Sequence, residues 1–224
     1  SGAREELGRV AIMRDRNRDR AAVLERAVLL TDSPQLQGEI LAEVASVYLD
    51  RLQDNDRAES AYERLIAVDP HNPDSVLLAS RALESIHLAK GDRAKLADDL
   101  RRQARFESDA DVRRMLLVRL GTLLEESLGD IEGAIAVHDE RLENDAADVD
   151  AMMALERLYE RTERWQKLVQ ILKARDGVAT DESARRDIAK RIAKLYEEKL
   201  DDRENAIIAW NDVLASFGQD RETL

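Results

Sequence analysis

LGTLLEESLGDIEGAIAVHDERLENDAADVDA, running from Leu120 to Ala151, is the stretch on which the fold turns. Within it Ile131, Ala134, Ile135, His138 and Leu142 recur at the spacing of one helical face. Asp130 precedes them, where a starting helix has unpaired N–H groups to satisfy. Two other stretches align with this one without gaps. Anchored on leucine, Leu128 with GDIEGAIAVHDERLEND matches Leu52 with QDNDRAESAYERLIAVD and Leu200 with DDRENAIIAWNDVLASF. Asp54, Asp130 and Asp202 share one slot, and Ala58, Ala134 and Ala206 the next. A ring follows as Tyr62, His138 and Trp210, then an aliphatic as Ile66, Leu142 and Leu214. The anchors lie 76 and 72 residues apart. Self-similarity at a fixed period is the mark of a repeat architecture.

A second set interleaves with the first. ALESIHLAKGDRAKLADDL from Ala82 matches ALERLYERTERWQKLVQIL from Ala154, 72 residues on. Leu83 stands opposite Leu155, Ile86 opposite Leu158, His87 opposite Tyr159, Leu96 opposite Leu168 and Leu100 opposite Leu172. A fainter copy near the start puts Leu7, Val10 and Leu24 in these slots. The chain therefore reads as six antiparallel helix pairs, roughly 1–31, 33–70, 73–107, 109–146, 148–177 and 181–218, in one domain spanning 1–224. Helices are expected near 3–14, 17–30, 34–52, 55–68, 73–89, 92–106, 109–127, 131–143, 148–161, 164–175, 181–199 and 203–216. Ser33–Pro34 and Asn72–Pro73 set a capping residue before a proline that suits a first turn. Ser108, three residues before Asp111, reads as a weaker start. The closing GQDRETL looks like the opening of a further unit. That implies a longer parent repeat protein and self-association through an uncapped end.

Composition supports an all-helical chain. Only 9 Gly and 3 Pro occur in 224 residues, too few turn-formers for a many-stranded sheet. Aromatics make up 4%, so the core must be aliphatic. The net charge of −12 argues against nucleic acid or a membrane surface as partner. No apolar run is long enough to cross a bilayer. There is no Cys, which removes disulfide and thiolate chemistry. Arginine greatly outnumbers lysine, a bias read as that of a GC-rich bacterial genome. No signal peptide is visible, and the default compartment is the cytoplasm.

The Leu120–Ala151 stretch resembles a tetratricopeptide repeat, a helix–turn–helix unit of about 34 residues. Leu120–Gly121, Leu124, Gly129–Asp130 and Ala134–Ile135 match that family's pattern, and His138 stands where an aromatic is usual. Tyr48, Ala58, Tyr62 and Asp69–Pro70 repeat it one unit earlier. Two departures stand out. The turn in pairs two, four and six is one residue longer than the consensus, and Leu96 and Leu168 replace an expected Ala. The resemblance implies a right-handed α-solenoid in which stacked pairs share one core.

No residue set in the sequence points to catalysis, a cofactor or a metal. His87 and His138 occupy ring slots and are expected in the core, while His71 sits in the turn DPHNPD. The three are too far apart in the repeat order to share a metal. Trp165 and Trp210 read as wedges between helices. The resemblance implies a non-catalytic scaffold that holds a protein or peptide on the face lined by the first helix of each pair. Carried over position by position, that groove comprises Ser46 and Asp50 in the second pair, with Leu49 beside them. Thr122, Glu125 and Glu126 extend it in the fourth, after Val118. Met153, Arg157, Glu160 and Arg161 follow in the fifth, and Lys190, Lys194, Glu197 and Glu198 in the sixth. The groove is mixed in sign and lacks the Lys/Arg clamp that would grip an acidic C-terminus. The alternatives are a structural spacer that binds copies of itself and a regulatory domain of a larger protein.

Overall fold

A computed structural model describes residues 2–218, and of residues 2–8 and Ala11 the backbone alone. The side chain of Leu7 and the residues beyond Gly218, which carry the expected further unit, lie outside that description. The described residues form eleven α-helices. They divide into two compact units, Ser1–Leu128 and Gly129–Leu224. The division falls inside the expected fourth pair.

The first unit holds α1 (Gly2–Leu30), α2 (Pro34–Ser46), α3 (Asn55–Val68), α4 (Pro73–Lys90), α5 (Arg93–Phe106) and α6 (Ala110–Thr122). Its core is aliphatic, with Leu41, Leu65, Leu83, Ile86, Leu100, Leu117 and Leu120 almost wholly buried. The second unit holds α7 (Ile131–Asn144), α8 (Val149–Arg161), α9 (Trp165–Val178), α10 (Glu182–Glu198) and α11 (Arg203–Phe217). There Met152, Leu155, Leu158, Leu168 and Leu172 form the centre. Within each unit consecutive helices pack as pairs: α2 on α3, α4 on α5, α8 on α9, α10 on α11. The class is all-α, of the helix-pair solenoid type. Ala58, Ala134 and Ala206 are buried at the shared slot, where a methyl group lets two axes come close.

The punctuation has a physical basis. Asp54, Asp130 and Asp202 each accept a hydrogen bond from the backbone N–H three residues on, as do Ser33 and Asn72. Each closes one of the orphan donors at a helix start. The start expected at Ser108 belongs instead to Asp109, whose Oδ1 accepts from the N–H groups of Asp111 and Val112. A carboxylate one residue nearer outcompetes the hydroxyl.

The longer turn of the even pairs is absorbed as π-helix. Val47–Leu52 continues α2 and Leu123–Leu128 continues α6 as π turns. The equivalent end of α10 makes a wide Leu200 N–H to Leu195 carbonyl bond. The next residue in each case, Gln53, Gly129 or Asp201, then turns left-handed at φ 53°, 66° and 48°. Gly91 and Glu163 do the same in the other set, at φ 71° and 54°.

One expectation fails. The helices foreseen at 3–14 and 17–30 are a single helix, α1. Asp15-Arg16-Asn17-Arg18 contains neither Gly nor Pro, so nothing there stops the backbone ladder. Without a returning partner, its apolar residues Val10, Ile12, Met13 and Val23 stay more than half exposed.

Candidate functional site

The expected groove residues fall on different elements of the two units. Ser46 closes α2, half-buried, and Asp50 lies exposed in the π turn beyond it. Thr122, at the end of α6, donates its hydroxyl back to the Val118 carbonyl of its own helix at 3.1 Å. Glu125 is half-buried and Glu126 exposed in the following π turn. Helix α2 meets α4 but not α6, so these two groups do not form one site. A cleft of about 340 Å³ does lie on the first unit, with Gly38 and Ala42 of α2, Leu65 of α3 and exposed Leu78 of α4 among its walls. Sequence reasoning placed none of these residues in a site.

In the second unit the expected residues lie on α8 and α10. Met153, Arg157, Glu160 and Arg161 recur along one side of α8, and all four are exposed. Lys190 and Lys194 stand one turn apart on α10, each half-buried. The link between the helices is Arg191, which the sequence reading omitted. Its guanidinium donates to Glu160 at 2.9 Å and to Glu156 at 3.2 Å. Glu156 is buried and also meets Arg175 Nε at 2.6 Å. Burial pushes its carboxyl up, against the pull of Arg175 and Arg191. With Arg157, Arg161, Lys190, Arg191 and Lys194 alongside Glu156, Glu160, Glu197 and Glu198, the two helices are mixed in sign. Met153, 51% exposed, is the apolar feature at its edge.

Both core histidines are buried as expected, at 2% exposure for His87 and 6% for His138, and neither can touch a dissolved substrate. Their surroundings were not foreseen. His138 Nδ1 lies 3.2 Å from Arg141 Nη1, and Arg141 makes a buried bidentate pair with Asp148 at 2.9–3.1 Å. Burial and then the Arg141 and Arg157 charges push the His138 imidazole down to about 4. It is neutral at physiological pH.

His87 sits among carboxylates. Its Nδ1 is 2.5 Å from Asp99 Oδ2, and Asp99, fully buried, accepts from Arg102 at 2.9 Å through its other oxygen. Nε2 lies 3.3 Å from Glu59 Oε1. Glu59 in turn takes Lys90 at 2.5 Å and Lys95, and Lys90 also reaches Asp56 at 2.5 Å. Burial pushes the Glu59 carboxyl up, but Lys90, Lys95 and His87 outweigh it and hold it at about 2. The signal was present: Glu59 occupies the slot of Ile135 and Ile207, one place after the shared alanine.

Trp165 and Trp210 are half-buried. Lys199 stands 5.1 Å from the ring centroid of Trp165, and Trp210 Nε1 donates to Glu197 at 3.1 Å.

Residues 151–182, the α8–α9 pair, match the tetratricopeptide repeat family. A tetratricopeptide repeat therefore lies in the second unit. The matched pair is the repeat whose register recurs through the sequence. Solved structures of similar fold include YrrB, described as a TPR protein with an unusual peptide-binding site, at 15% identity and TM-score 0.39, over 91% of this chain and 96% of that one. A tetratricopeptide repeat protein of Parabacteroides merdae gives 15% and 0.39 over 100% and 83%. PilF of Pseudomonas aeruginosa gives 13% and 0.38 over 94% and 96%. No curated protein sequence matches the chain. No helix among the described residues is long and apolar enough to cross a membrane.

Proposed function

We propose that this tetratricopeptide-like chain is a non-catalytic scaffold that binds a protein or peptide through the α8–α10 face of its second unit. The observation that supports this most is the bridge from Arg191 of α10 to Glu156 and Glu160 of α8, beside exposed Met153, Arg157 and Arg161. Charges of both signs on one face favour a partner of matching pattern over one of a single sign. The partner segment that fits carries charges of both signs and an apolar side chain to cover Met153. Neither nucleic acid nor a membrane surface fits the overall charge, and no cofactor enters this reading. Ser46, Asp50, Thr122, Glu125 and Glu126 belong to the first unit and take no part in it.

A spacer that binds its own copies is the second reading. It is favoured by Ile207 and Ile208 on α11, 63% and 51% exposed. Ile208 borders an open cleft of about 260 Å³ between α9, α10 and α11 that Phe217 and Tyr196 help line. A regulatory role beside another domain would use the same two surfaces.

The test is a binding comparison between the native chain and Arg157→Glu/Arg161→Glu, with helicity checked by far-UV circular dichroism. Retention of a partner by the native chain and its loss with the variant supports the α8–α10 face. Equal retention refutes it. Light scattering of native chain and Ile207→Asp/Ile208→Asp then tests the spacer, which requires a concentration-dependent mass only in the native chain.

A further inference from the structure

Three slots that are apolar in the second unit carry ligating side chains in the first. Ile135, Tyr159 and Ile171 correspond by the 76- and 72-residue offsets to Glu59, His87 and Asp99. All six are at least nine-tenths buried. A core that works with Ile, Tyr and Ile does not need two carboxylates and an imidazole there, since each costs desolvation that packing alone would avoid. Glu63 adds a fourth polar group, so that Glu59, Glu63 and His87 each aim one donor atom into a space where all lie within 4.8 Å of one another.

We infer that Glu59, Glu63 and His87 form a binding site for one divalent cation of the zinc type. The first support is the state of His87. The 2.5 Å contact of Nδ1 with Asp99 assigns the ring proton to Nδ1 in the neutral imidazole. Nε2 then carries a lone pair, and this buried atom makes no hydrogen bond. It faces Glu59 Oε1, also an acceptor, at 3.3 Å. In that tautomer two acceptors face each other and repel unless a proton or a metal cation lies between them.

Distance is the second support. Two donors bound tetrahedrally at about 2.0–2.1 Å from zinc stand about 3.3–3.4 Å apart. The Nε2–Oε1 separation already has that value. The backing of the ring is the third. A metal-bound imidazole donates its other N–H to a carboxylate, which fixes the tautomer and raises the ligand's basicity. Asp99 does this, and Arg102 fixes Asp99.

The occupant the site now shows is lysine. Lys95 pairs with Glu59 and stands 3.6 Å from Glu63, with its side chain 46% exposed. Its long stem can carry the ammonium into water, so metal and Lys95 compete for the same carboxylates. Lys90 can keep its bond to Asp56 throughout.

The experiment uses the whole chain, cleared of metal by a chelator. Cobalt(II) is added and its visible absorption recorded, and zinc(II) is then titrated calorimetrically. One ion per chain is expected, with the intense band of four-coordinate cobalt bleached by zinc. Glu63→Gln changes a half-exposed side chain, and Asp99→Asn alters only the ring's support. Asp99→Asn should weaken binding roughly 10- to 100-fold, the range for a lost supporting group, and Glu63→Gln, which removes a ligand, by at least as much. Lys95→Met should tighten it. Glu59→Ile/His87→Tyr/Asp99→Ile, which copies the second unit, should abolish it with helicity retained. Absence of stoichiometric binding by the native chain overturns the proposal. So does equal binding by Glu63→Gln and Asp99→Asn, which would place the ion elsewhere on the acidic surface; these two variants decide even if the triple variant fails to fold. Nitrogen-15 spectra of His87 add a last check, because a ring that keeps a proton on Nε2 in excess zinc also overturns it.

Discussion

Glu59, His87 and Asp99 in the first unit, and Ile135, Tyr159 and Ile171 in the second, occupy the same repeat slots with opposite chemistry. In the second unit Tyr159 donates to Asp139 at 3.3 Å, and Lys167 stands 5.6 Å from the centre of its ring. Lys95 holds the place of Lys167 but grips Glu59 instead. Burial pushes the Tyr159 hydroxyl up to about 12, so it stays a neutral donor across the usual pH range. One helix-pair frame thus accepts either an apolar contact or a charged one. What the frame fixes is position and burial, and the chemistry of a slot is left to the side chain placed there.

The histidines extend the comparison, since His87 has carboxylates on both ring nitrogens while His138 has a cation. The largest expected effect lies at His138's neighbour. Arg141→Met removes the bidentate counter-charge of Asp148, buried and 1% exposed at the side chain, and should cost the second unit about 3–5 kcal/mol. Both tryptophans lie in that unit, so their fluorescence during urea unfolding isolates the loss. An unchanged midpoint would show that Asp148 finds other partners.

Next in size is acid sensitivity of the second unit. His138 titrates near 4 when folded and about 6.5 when unfolded, so the unfolded chain binds more protons between those values. Stability is therefore full above about pH 6.5 and falls as the pH drops toward 4, by roughly 3 kcal/mol. His138→Phe should remove that limb from tryptophan-detected unfolding curves. Glu59 belongs to a lower window, because its contribution is present above about 4.5 and is lost as the pH falls toward 2.

The triple substitution Glu59→Ile/His87→Tyr/Asp99→Ile breaks the comparison most directly. Without added metal it should leave stability unchanged or raise it by about 1–4 kcal/mol, as replacing buried ionic groups with packed apolar ones does elsewhere. A large loss, read by thermal circular dichroism, would mean that the polar trio holds the first unit together. The smallest effect concerns the turns. Gln53→Gly relieves a left-handed conformation that costs an ordinary residue about 1–2 kcal/mol, partly offset by the looser unfolded chain. A net gain of about 0.5 kcal/mol in urea unfolding is expected.

Much of this was legible from local rules. Asp54, Asp130 and Asp202 cap helices because a carboxylate before an apolar run has few other uses. Buried Ala58 and Ala134 follow from repetition in register. The single helix α1 was not legible, because the first copy's faint leucines suggested a pair where no residue enforces a turn. At the candidate site, Met153, Arg157 and Glu160 were readable by periodicity on one helix. Arg191 was not, because its role depends on α10 lying within reach of α8.

The sequence by itself determined that this chain is a row of helix pairs, because period, capping and scarcity of Gly and Pro act within a few residues of one another. It also placed His87 and His138 in the core, since their slots are filled by rings in the sister repeats. Only the tertiary structure decided what each histidine meets. Glu59 is 28 residues before His87 and Asp99 is 12 after it, each on a different helix. No local spacing encodes that three such groups converge; only the packing of α3, α4 and α5 brings them within hydrogen-bonding range.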